Sequence, residues 1–243
     1  MERYDWYYIF SSLFLNASMT LLAHGYFCLF AKRRPTRLRR LFFFPCLAAI
    51  SLAWLLPLRA SFFYFFTLIL YLSYALYARV VFGFRRQESV LYTMLFYFLT
   101  HFIVRTASWM SVHFWGFHFM DRGAELLPAL AGNALIVAFS VLVLLVFREK
   151  LRVLAGYRLS AREFLDSVLL GAPLIYFCHS QYLMTVDYLH FPPQIVLMRG
   201  VISLCAVYAL VGIISTNKSR SEQLEVQKIQ GLLKSQAESS GFS

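Results

Sequence analysis

The chain is predicted to fold as an all-α, polytopic transmembrane helical bundle. Seven spans are expected, with the N-terminus outside, the C-terminus in the cytoplasm and a short amphipathic helix leaving the last span. Three observations lead there. First, 60% of the 243 residues are hydrophobic and 14% are charged, against about 45–50% and about 25% in soluble domains. Second, the apolar residues fall into runs near the length of about 20 that a membrane-crossing helix needs. Third, the basic residues concentrate in alternate connections, the pattern that orients a multi-pass protein.

Taken in order, the expected spans are residues 6–31, 41–56, 61–82, 89–115, 126–147, 164–186 and 194–216. The first ends at Lys32-Arg-Arg-Pro-Thr-Arg-Leu-Arg-Arg40, six basic residues without an acid. Pro57, which lacks a backbone N–H, suits the break between the second and third spans. Gly171 and Pro173 suggest a kink in the sixth. With seven spans, 17 of the 23 Lys and Arg residues fall on one side, which sets that side as cytoplasmic. A six-span count would make 41–56, the weakest run, re-entrant. The division that follows is a transmembrane sensor-like domain over 1–216 and a cytoplasmic linker over 217–243.

The same patterning excludes several functions. A formal charge of +11 invites a nucleic-acid partner, but the charges sit in short connections between spans, where they set orientation. The lipid bilayer is the expected partner instead. Cys28, Cys46, Cys178 and Cys205 lie in hydrophobic runs without a CxxC pair, so buried, reduced thiols are expected. The N-terminus lacks the basic region and cleavage site of a signal peptide, so the first span is expected to stay in the mature protein. His113, His118, Asp121, Glu125, Asp187 and His190 gather toward the outer side without metal-ligand spacing. No nucleophile elbow, phosphate loop or HExxH motif is present. No cofactor, metal or catalytic residue is assigned.

Ionisable groups inside spans are costly and often functional. Arg105 lies in the fourth span with His101 one turn earlier on the same helix face. A polar contact to a ligand or partner helix is one reading; snorkelling to the outer boundary is the other. Asn16, His24, Asn133, His179 and Gln181 read as interhelical hydrogen bonds. The excess of Phe, Tyr and Trp reads mainly as lipid-facing and interfacial packing. The run Trp115-Gly-Phe-His-Phe119 also suggests an outer pocket for an apolar ligand. The candidate ligand-binding residues are therefore His101, Arg105, Trp115, Phe117 and His118.

After Thr216 the composition becomes polar and rich in helix formers. Val226, Ile229, Leu233 and Gln236 follow the three–four–three spacing of a coiled-coil seam. Leu224, Val226, Ile229 and Leu233 are the apolar positions assigned to this signal-transmitting helix, through which a homodimer is expected. The alternative is a solvated tail.

The layout of spans, basic face and the helix Ser221-Glu-Gln-Leu-Glu-Val-Gln-Lys-Ile-Gln-Gly-Leu-Leu-Lys-Ser-Gln236 resembles the membrane sensor region of AgrC-like histidine kinases with a GHKL-type ATPase. That family includes peptide-pheromone receptors of Gram-positive bacteria. The resemblance covers the architecture of the chain but only this helix at residue level. It implies a two-component, quorum-sensing type of receptor for an extracellular ligand, such as a small apolar peptide. No histidine follows the linker and the ATP-binding motifs are absent, so autophosphorylation is not expected. The chain is read as a sensor module cut before a kinase core, or as a stand-alone membrane protein. A small transporter or permease is the alternative, with Arg105, His101, Asn133 and His179 lining a polar cavity.

Overall fold

The computed structural model describes residues 6–31, 63–115, 126–180 and 193–240, together with positions 41 and 45. Six helices run through the long segments: α1 (Trp6–Cys28), α2 (Phe63–Phe82), α3 (Arg86–Trp115), α4 (Leu126–Arg152), α5 (Ala161–Ser180) and α6 (Pro193–Ser240). No strand occurs among the described residues. The all-helical expectation therefore holds. Three stretches, 86–114, 130–152 and 197–236, are long and apolar enough to cross a membrane. The expected second span, 41–56, lies almost wholly outside the described residues.

The helices start and stop where local chemistry directs them. Gly83 follows α2 at a φ of 72°, and its N–H returns to the Arg79 carbonyl. A left-handed residue there ends the helix, and glycine adopts it without steric cost. Gly156, at a φ of 74°, lies in the turn that follows α4, where the Tyr157 N–H donates to the Leu154 carbonyl. α5 opens with a capping box, Ser160-Ala-Arg-Glu163. The Glu163 N–H donates to Ser160 Oγ and the Ser160 N–H donates to Glu163 Oε2, at 3.2 and 2.7 Å. Pro193 opens α6, where its missing N–H costs nothing.

α3 is the centre of the bundle: it touches all five other helices, α6 most extensively. Every residue from Leu91 to His101 is buried, as expected for a helix apolar on all sides. α6 instead presents one face to it. Arg199, Gly200, Ser203, Ala206, Val207, Leu210, Val211 and Ile214 are buried at three- and four-residue intervals.

The aromatic residues correct an expectation. Tyr26, Phe27, Phe30, Tyr74, Tyr77, Tyr92 and Phe96 are buried between α1, α2 and α3, and Phe30 stacks on Tyr92 with centroids 4.0 Å apart. These rings pack on one another because offset and edge contacts between them are favourable. The cysteines correct a second. Cys178 is buried, but Cys28 and Cys205 are exposed, because each sits on the outer face of its helix.

The outer faces are apolar. Leu72, Leu76, Val141, Leu145, Leu165, Leu169 and Met198 are exposed, while Thr20, Thr100, His101, Arg105, Asn133, Ser140, Arg199 and Ser203 are buried. Soluble monomers rarely expose contiguous apolar surface of this kind.

Candidate functional site: a polar seam between two helices

Halfway along α3 the buried face turns polar and meets α6. Gly200 makes the approach close: a Cβ there would lie 3.3 Å from Arg105 Cβ and 3.5 Å from the Phe102 carbonyl oxygen. Small residues allow such contact between apolar helices. Beside this contact lie His101, Arg105 and Arg199, at 7, 5 and 7% exposure, and Ser203 at 0%. Arg105 is thus enclosed by the bundle and does not snorkel.

The hydrogen bonds fix a direction. Arg105 Nε donates to His101 Nε2 at 3.3 Å. With Nε2 accepting, the imidazole proton belongs on Nδ1. His101 Nδ1–H then donates to Ser203 Oγ at 2.7 Å, and Ser203 Oγ donates to the Arg199 carbonyl at 3.2 Å. Cys178 of α5 lies 3.5 Å from Ser203 Oγ. The Tyr97 ring stacks on His101, with centroids 5.7 Å apart. This polarity leaves His101 Nδ1 giving a proton to Ser203 instead of accepting one, so the pair is not arranged as a base and its nucleophile. Its chemical capacity is to hold α3, α5 and α6 in one register.

Of the candidate ligand residues, His101 and Arg105 are brought together. Trp115 ends α3; Phe117 and His118 lie outside the described residues. Near that end of α3, Trp109 stacks on His113, whose ring meets Phe114 edge-on. His24 does make an interhelical bond, to Tyr77 Oη at 2.6 Å, and Asn133 is buried on α4. Gln181 and the side chains of Asn16 and His179 lie outside what is described. Ser203 and Cys178 were not legible as partners. Arg199 is the single charged residue in the stretch 194–216.

A second set of contacts marks the place where α6 leaves the bundle. Lys218 Nζ donates to the Val153 carbonyl at 2.8 Å, and the Tyr157 hydroxyl donates to Glu163 Oε1 at 2.6 Å. Asn217 also hydrogen-bonds Glu163. Burial opposes ionisation of Glu163, but the bonds from Tyr157, Ser160 and Asn217 outweigh it and hold the carboxyl below its ordinary range. Burial and the neighbouring carboxylate push the Tyr157 hydroxyl up to about 12. The α4–α5 connection thus clasps α6.

Comparison with protein-family models, curated proteins and solved structures gave no match.

Beyond the clasp α6 continues as a helix to Ser240, through the boundary expected at residues 216 and 217. Leu224, Val226, Ile229, Leu232 and Leu233 are exposed on it. At about 100° per residue, Val226, Ile229 and Leu233 share an arc of about 60°, whereas Leu224 falls about 160° from Val226. Leu224 therefore does not belong to the same stripe.

Proposed function

We propose that this chain is a membrane-embedded sensory module of the two-component type, with seven spans, an outer N-terminus and a cytoplasmic C-terminus. An extracellular ligand, such as a small apolar peptide, shifts α3 against α6. The movement leaves through α6 to a cytoplasmic helix paired with that of a second copy. The observation that carries this reading is the single 48-residue helix from Pro193 to Ser240. It joins a buried polar seam at Arg199 and Ser203 to an exposed apolar stripe at Val226, Ile229 and Leu233.

The physics suits a switch. A ligand can bias the bundle only through different affinities for two arrangements, and a seam of directed hydrogen bonds offers discrete registers. The outward apolar faces and inward polar groups suit a bilayer. The basic ends of the spans supply the orientation, and the resemblance to AgrC-like sensors supplies the ligand class.

A fusion at Gln236 to a histidine-kinase core tests the reading. Kinase output is expected to change with supernatants of the source culture, and the response is expected to be lost with Arg105→Ala. A folded, dimeric fusion that no supernatant modulates contradicts it.

A further inference from the structure

The clasp borders a hollow that is open to the outside. A cavity of about 290 Å³ is lined by Ala155, Gly156, Tyr157, Arg158, Lys218, Ser221 and Glu222. Its walls are fixed from both sides, by Lys218 on the Val153 carbonyl and by Asn217 on Glu163.

Its position and lining limit what fits. The last buried apolar residue of α6 is Ile214, one turn before Lys218, so the cavity lies where the apolar body ends. Arg158 and Lys218 bring two cations and Ser221 a hydroxyl. The acid in the lining is Glu222, whose carboxylate stands 4.0 Å from Lys218 Nζ. Val153, whose carbonyl accepts from Lys218, is exposed, as are Leu165 and Leu169 on the helix that follows Arg158, which offers acyl chains apolar surface. We infer that this cavity binds the phosphate of an anionic phospholipid, with Arg158 and Lys218 as its cationic contacts and Glu222 competing for Lys218. The site rests on the membrane reading proposed above. A phosphate free in water offers the same charge but gains nothing from the apolar surface alongside.

The occupied cavity ties the clasp to the lipid. A phosphate that draws Lys218 from Glu222 frees that acid one turn farther along α6, so leaflet composition acts on the segment through which the signal leaves.

The test reconstitutes the full chain in nanodiscs of mixed phosphatidylcholine and phosphatidylglycerol, then counts the lipid of each class that stays bound on transfer to detergent. Preferential retention of phosphatidylglycerol is expected. Arg158→Gln should lower it about fivefold, matching about 1 kcal/mol for a basic residue near an anionic surface. Glu222→Gln should raise it. Arg220→Gln, which removes the same charge outside the cavity, should change it less than about twofold, because water and salt screen it. Equal losses from Arg158→Gln and Arg220→Gln, or equal retention of the two lipids, would overturn the site. Displacement of the lipid by inorganic phosphate would overturn the lipid as its source. Failure of the chain to enter nanodiscs at all would remove the membrane reading and the site together.

Discussion

At the scale of single residues, the seam turns on Ser203. It accepts a hydrogen bond from His101 and donates its own to a backbone carbonyl, so its removal takes this acceptor from a buried donor. A donor left in that state costs about 1–3 kcal/mol. Ser203→Ala is therefore expected to lower the melting temperature of the purified protein, and His101→Ala made in that background to add less than it does alone. Fully additive losses would show that the two side chains do not share a bond. Half of this seam was legible. His101 and Arg105 stand one turn apart in an otherwise apolar run, and charge in that setting is conspicuous. Ser203 was not, since a serine within a helix can also satisfy itself on the carbonyl four residues back. Its partner lies 102 residues away in sequence, a distance that helical periodicity does not reach.

At the scale of elements, two buried glycines, Gly171 and Gly200, separate close packing from adjustable packing. A Cβ on Gly200 meets Arg105 Cβ and the Phe102 carbonyl, neither of which can swing away. A Cβ on Gly171 meets the end of the Met94 side chain, and methionine repacks readily. Gly200→Val is expected to destabilise the bundle far more than Gly171→Ala, as read by thermal melting; the reverse order would contradict the close α3–α6 contact.

The clasp gives a pH dependence. Because folding lowers the Glu163 pKa, the carboxylate stabilises the clasp above the ordinary glutamate range, and that contribution fades as pH falls through the lowered value. Glu163→Gln should melt below the unsubstituted protein near neutral pH, with the gap closing on acidification. A gap that widens in acid would contradict the sign. Helix identity was legible from hydrophobic runs, but the clasp was not. A connection rich in basic residues reads as an orientation signal, and nothing in its order shows that it folds back on α6.

At the scale of the whole molecule, the sequence assigned signal transmission to the helix leaving the last span, and the structure makes α3 the packing hub that it leaves from. α3 is the hub because it is buried on all sides, whereas α6 carries one buried face out of the bundle. Sequence alone does not rank helices by burial when all of them are apolar. Outside the bundle, the arc shared by Val226, Ile229 and Leu233 is expected to pair with a second copy. Ile229→Cys, made without the exposed Cys28 and Cys205, should form disulfide-linked dimers when isolated membranes are treated with a thiol oxidant, and Leu224→Cys should not. Equal cross-linking at both positions would describe a loose tail.

The continuity of α6 as a lever is tested most directly by inserting one to seven alanines between Ser219 and Arg220 in the kinase fusion. Each insertion turns the downstream helix by about 100°. Output is therefore expected to rise and fall with the number inserted and to return near seven, about two full turns. Output that ignores the insertions, or falls steadily with their number, would contradict transmission through a single rigid helix.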